Sequence, residues 1–226
     1  MKKYLIYFLF IIIVVGDLTG EFLQIRWMDY LFKPLILIWI AGFFLLHSKN
    51  IDKKVVQLGF FAFAFSWLGD VFLMFGDKGF IYFILGLASF FVAQLVYVFL
   101  FLRTINLSGK TSFLKKKPYF LIAYIAYGLI VYIALYGVLD SVLKVAVFAY
   151  MIVLLGMSVM ALNRYGNGHP LSFRYVFIGS ILFVISDTLI AINKFLVPIP
   201  YEGIFIMTTY ISAQYLIMRG LLKQYE

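Results

Sequence analysis

Of the 226 residues, 65% are hydrophobic and only 13% charged, and the mean hydropathy is +1.02. That balance excludes a water-soluble domain and predicts a single integral membrane domain over residues 1–226, in contact with membrane lipid throughout. The formal net charge of +9 does not predict a nucleic-acid partner, because the basic residues are scattered in short connections between apolar runs; the absence of cysteine excludes disulfides and thiolate metal sites.

Hydropathy predicts an all-α bundle of eight transmembrane helices, at roughly residues 4–23, 31–46, 55–75, 80–102, 118–136, 142–162, 173–193 and 202–222. The first span follows Lys2 and Lys3 and resembles a signal peptide. No small-residue cleavage site follows Val15, and Asp17, Glu21 and Arg26 come next, so an uncleaved helix is expected. The second begins beside Lys33. The third contains the first anomaly, Asp70, inside the run FSWLGDVFLMF, with Ser66 one turn before it on the same face.

On the fourth span, Gly86, Phe90, Gln94, Tyr97 and Phe101 share one stripe, with the glycine allowing close helix approach. The connection that follows is the most basic in the chain, with Arg103, Lys110, Lys115, Lys116 and Lys117. The seventh span holds the second anomaly, Asp187 in LFVISDTLIAINKF, preceded by Ser186 and on one stripe with Lys194. On the eighth, Tyr210, Gln214 and Met218 form another stripe. A carboxylate at the bilayer centre is unfavourable by about 2.5–3.5 kcal/mol on insertion scales, so Asp70 and Asp187 are expected to face a polar cavity, a partner or a substrate.

Fourteen of the 19 Lys and Arg residues lie at the termini or in the even-numbered connections, which by the positive-inside rule places both termini in the cytoplasm. Spans three and seven then both run outward, and Asp70 and Asp187 stand five and six residues from their exits near Phe75 and Asn193. At 1.5 Å per residue both carboxylates sit roughly 8–9 Å below the outer end of their helices. Their equivalent positions four spans apart, with Ala93-Gln94 and Ala213-Gln214 on the helices that follow, outline a parallel four-plus-four repeat.

Most catalytic chemistries lack their residues. The only histidines, His47 and His169, lie in connections on the opposite face from the aspartates, there is no HExxH motif, and no metal or other cofactor is expected. No GxSxG elbow or glycine-rich phosphate loop occurs. Carboxylate acid/base work remains, with pairing of each aspartate to a lysine or hydroxyl as the purely structural alternative.

The order and helical placement of several short motifs carry a family resemblance: Lys33-Pro34-Leu35, Ser66-x-x-Gly69-Asp70-x-x-Leu73-Met74, Gly86-x-x-x-Phe90, Tyr150, Met157, Phe183-x-x-Ser186-Asp187 and Tyr210-x-x-Ala213-Gln214. Together they resemble the YhhN family of eight-span membrane proteins, whose characterised animal members are lysoplasmalogenases. One departure is Gln94, where the family pattern often has histidine; an amide there offers a hydrogen bond in place of a proton shuttle. The resemblance implies a lysophospholipid substrate and hydrolysis of the vinyl ether bond of a lysoplasmalogen to a fatty aldehyde and a glycerophospho-base. It implies Asp70 and Asp187 as acid and base, with Ser66, Gln94, Tyr97, Ser186, Tyr210 and Gln214 around the substrate and Lys33 and Lys194 near the outer rim either as point charges for the lipid phosphate or as snorkelling lysines. A proton-coupled transporter or lipid-binding protein using the same aspartates is the alternative. Richness in Phe, Ile and Lys with compact connections points to a bacterial inner membrane.

Overall fold

Apolar runs free of helix breakers form helices wherever backbone groups have no water to bond. In the computed structural model, which describes residues 2–109 and 112–225 without the side chains of Lys2 and Lys3, these helices are α1 (Lys2–Leu23), α2 (Arg26–His47), α3 (Lys53–Met74), α4 (Phe80–Ser108), the short α5 (Phe113–Lys116), α6 (Phe120–Tyr136), α7 (Ser141–Asn163), α8 (Pro170–Phe195) and α9 (Glu202–Lys223). Lys110, part of the basic connection, lies outside the described residues.

Among the described residues six helices, α1 to α4, α7 and α8, are long and apolar enough to cross a membrane. The seventeen residues of α6 fall short of that length. The more polar α9 carries Glu202, Gln214, Arg219 and Lys223, and it buries Gln214 completely against its neighbours. The chain is a multi-pass membrane protein.

Several helices outrun the hydropathy boundaries. α2 starts at Arg26 and continues through Pro34, whose missing N–H is accommodated inside the helix while its carbonyl accepts the Trp67 indole N–H at 3.1 Å. α4 extends to Ser108 and stops at Gly109, which takes the left-handed conformation (φ 66°) that glycine adopts without strain. Asp52 caps α3 by accepting the Val55 N–H, and Arg103, hydrogen-bonded to Asp52, holds that carboxyl below the usual carboxylate range. Near this end of the bundle, Arg164 is buried beneath Ser172 and Gln224, and burial pushes its pKa down to about 10.

The packing is built on two tight pairs, α3 with α4 and α8 with α9, flanked by α2 and α7; α1 and α6 sit at the periphery with much of their surface exposed. Without a hydrophobic drive between helices in lipid, close approach comes from small residues. A methyl group on Gly220 would stand 2.9 Å from both the Ser172 carbonyl oxygen and the Val176 nitrogen, backbone atoms that cannot move aside. Gly220→Val should therefore destabilise the folded protein by about 1–3 kcal/mol in reversible unfolding from detergent. Gly156→Ala, at a helix position where a methyl meets nothing, should be neutral or stabilising by up to about 1 kcal/mol. Equal melting behaviour of the two variants would contradict this account of the α8–α9 contact.

Candidate active site

The two tight helix pairs bring their carboxylates to one place. Asp70 on α3 is 6% exposed and Asp187 on α8 is 7% exposed, and both line a single cavity of about 290 Å³. The helices that fix them come from across the bundle. Tyr210 on α9 donates its hydroxyl to Asp70 Oδ2 at 2.9 Å. Asp187 Oδ2 accepts from Gln94 Nε2 on α4 at 2.8 Å and from the Tyr150 hydroxyl on α7 at 2.6 Å. Each carboxylate thus has one oxygen held by donors, and no hydrogen bond occupies its Oδ1 among the described residues.

A polar layer adjoins these contacts. The Tyr97 hydroxyl donates to Gln214 Oε1 at 2.6 Å, joining α4 to α9, and Ser66 on α3 is fully buried. Ser66, Gln94, Tyr97 and Gln214 do not line the cavity; Lys33, Ser186, Lys194 and Tyr210 do, together with both aspartates. Ser186 donates its hydroxyl to the Ile206 carbonyl at 3.1 Å, which ties α8 to α9 beside Asp187. Lys33 is held by Glu21 of α1 at 2.5 Å, whereas the Lys194 ammonium lies 5.0 Å from the centre of the Phe83 ring.

A second cavity, about 330 Å³ and almost wholly apolar, runs between α4, α6, α7 and α8. Leu87, Val131, Leu143, Met151 and Ala191 are among its lining residues. The two cavities share Leu73, Phe83, Phe90, Asp187 and Ile190, so Asp187 stands where the apolar space meets the polar one, whereas Asp70 lines only the polar one. The arrangement suits an amphiphile lying across the junction, with one carboxyl at its polar–apolar boundary and the other on its polar side.

Three contributors were not legible as site residues. In the sequence Tyr150 figures only as a motif residue, and Glu21 and Glu202 carry no assigned site role; the structure sets Glu21 and Glu202 in the wall of the polar cavity. The only available signal for Glu21 was its spacing of one turn from Asp17. Asp17 is fully buried, and among the described residues neither of its carboxyl oxygens has a hydrogen-bond partner. No group of three or more metal-ligating side chains occurs among the described residues.

Fold and cavities together define a multi-pass membrane protein with buried carboxylates where a polar and an apolar cavity adjoin. The chain belongs to the YhhN family, whose profile matches residues 28–221. It is 31% identical over 212 residues to the lysoplasmalogenase TMEM86A of Bos taurus, covering 88% of this chain and 80% of that protein. Its identity to the lysoplasmalogenase TMEM86A of Homo sapiens is 29% over 214 residues, with the same coverages of 88% and 80%. To the lysoplasmalogenase TMEM86B of Homo sapiens it is 31% identical over 202 residues, covering 88% of this chain and 78% of the relative. No solved structure matches the chain.

Proposed function

We propose that this protein is a lysoplasmalogenase-type hydrolase that cleaves the vinyl ether bond of a single-chain lipid by carboxylate acid/base catalysis. The observation that carries this reading is the junction: two aspartates line one polar cavity, and one of them also lines the adjoining apolar cavity. The three named relatives supply the reaction class.

The substrate's alkenyl chain occupies the apolar space and its glycerophospho head the polar one. In a vinyl ether the β-carbon lies on the chain side and the oxygen on the head side, so the carboxyl at the junction is the acid. Asp187, its Oδ2 held by Gln94 and Tyr150, delivers a proton from Oδ1 to the β-carbon and leaves an oxocarbenium ion. Asp70, held by Tyr210, takes a proton from water as the water oxygen bonds to the carbon that bears the ether oxygen. The resulting hemiacetal collapses: its hydroxyl loses its proton as the carbonyl forms, the bond to the glyceryl oxygen breaks, that oxygen takes up the released proton, and fatty aldehyde and glycerophospho-base leave. One water is consumed and both carboxyls return to their starting states once a proton passes from Asp70 to Asp187. Gln94, Tyr97, Ser186 and Gln214 act here as the hydrogen-bonded frame that orients these groups, with Ser66 buried beside it, and Lys33 as a charge held beside Asp70 by Glu21.

The whole chain works as one integral domain in a bacterial inner membrane, with eight crossings, cytoplasmic termini and a site in the outer half. Its repeat places α3 and α8 in equivalent roles. A reporter fused after Glu226 should be active only in the cytoplasm; periplasmic activity would invert the orientation and move the site to the other leaflet. Incubation of the purified protein with an alkenyl lysolipid should release free aldehyde detectable by mass spectrometry. An intact lipid after prolonged incubation with folded protein would sink the hydrolase reading.

A further inference from the structure

The charges that line the polar cavity divide into committed and uncommitted ones. Glu21 and Lys33 pair with each other at 2.5 Å. Asp77 pairs with Arg26, also at 2.5 Å. Asp70 and Asp187 are engaged by the Tyr210, Gln94 and Tyr150 donors. Apart from them Lys194 and Glu202 remain, one of each sign, and among the described residues neither belongs to an ion pair. They sit at the two ends of one short connection: Lys194 in the last turn of α8 and Glu202 in the first turn of α9.

That connection is pinned. The Asn193 side-chain oxygen accepts the Ile199 N–H at 2.8 Å, Pro198 and Pro200 restrict it further, and Tyr201 takes a left-handed conformation (φ 55°) immediately before Glu202. The two charges are therefore presented from a fixed frame. The Glu21 carboxylate packs against Gly203, where any side chain would collide with it, so a second acidic group stands beside Glu202.

A phosphate needs a cation, and a primary ammonium needs acceptor oxygens for its three N–H donors. A quaternary ammonium has no donor and is recognised instead by open aromatic faces. The aromatic surfaces of this cavity are already engaged: Lys194 lies over the Phe83 ring, and Phe90 and Tyr210 meet edge to face, each also packed against Phe183.

We infer that Lys194 and Glu202 form a head-group subsite in which Lys194 takes a phosphate and Glu202, backed by Glu21, takes a primary ammonium. The protein then prefers a phosphoethanolamine head to a phosphocholine head or a bare phosphate. This inference rests on the reading of the polar cavity as the head-group chamber of a single-chain lipid, and names which head it selects.

The test uses the full-length protein in detergent with three saturated 1-O-hexadecyl lysolipids, bearing phosphoethanolamine, phosphocholine or phosphate alone, and measures equilibrium binding by calorimetry. The ethanolamine lipid should bind about tenfold more tightly than either other, the loss expected for a charge-assisted hydrogen bond. Glu202→Gln should bring the ethanolamine and choline lipids to equal affinity, and Lys194→Gln should weaken both by a similar factor. If Glu202→Gln does not fold, Glu202→Asp keeps the charge and should retain the ranking with a smaller ratio. Choline binding as tight as ethanolamine in the parent protein, an unchanged ranking in Glu202→Gln, or no saturable binding of any of the three overturns the inference. A saturated ether cannot be cleaved by this route, so the outcome is independent of turnover; the aldehyde assay alone decides the hydrolase reading.

Discussion

Replacing Asp187 by Asn should lower kcat for aldehyde release by about 10² to 10⁴, and Asp70→Asn should fall in the same range, the usual loss when a general acid or base is removed. Asparagine retains an oxygen that accepts the hydrogen bonds from Gln94 and Tyr150 at position 187, or from Tyr210 at position 70. It cannot deliver or take the proton. Exchanging a buried carboxylate for an amide of the same shape should leave stability close to that of the parent, because the desolvation of a charge is relieved as the pairing is weakened. The measurements are steady-state aldehyde release and thermal unfolding of each variant in detergent. Folded variants that turn over normally would make the aspartates interhelical glue and remove the catalytic assignment.

Ala191→Trp should reduce turnover of a long-chain alkenyl substrate by roughly a hundredfold through kcat, with a much smaller effect on folding. Ala191 lines the apolar cavity one turn beyond Asp187, so an indole there fills the space in which the chain must lie. The chain gains little from leaving lipid for another apolar environment, so the loss should come mainly from misplacing the vinyl ether relative to Asp187, where an error of about 1 Å is worth this much in rate. A substitution of similar bulk on the lipid-facing side, such as Ile130→Trp, provides the control, since Ile130 is 69% exposed. Equal activity of the two variants, with the long-chain substrate saturating, would show that the apolar cavity does not hold the chain.

Much of the architecture was legible because membrane solvation imposes long apolar helices whatever their packing. The two aspartates were legible for the complementary reason: a carboxylate in such a run is too unfavourable to be incidental. Boundaries were less so. Hydropathy ended the fourth span near residue 102, but α4 continues to Ser108, because helix propagation follows backbone hydrogen bonding and stops only where Gly109 turns left-handed.

The stripe on α4 placed Gly86, Gln94 and Tyr97 on one face, yet its members meet different neighbours. Gln94 reaches across to Asp187 on α8, Tyr97 binds Gln214 on α9, and Gly86 lets α4 approach the Gly69 carbonyl. Periodicity names the face of a helix and says nothing about which neighbour that face meets. Lys33 looked like a free rim charge because its partner, Glu21, lies twelve residues away on another helix.

By itself, then, the amino-acid sequence determined a membrane-dissolved helical chain, two carboxylates within its apolar spans and the asymmetry of its basic loops, all consequences of local composition against lipid. Only the tertiary structure decided that Asp70 and Asp187 line one cavity, that Asp187 alone also meets the apolar space, and that Lys194 and Glu202 are left without ion-pair partners among the described residues. Those facts depend on contacts between helices far apart in the chain, where the close approach of α8 to α9 and of α3 to α4 is set by backbone meeting backbone at glycines.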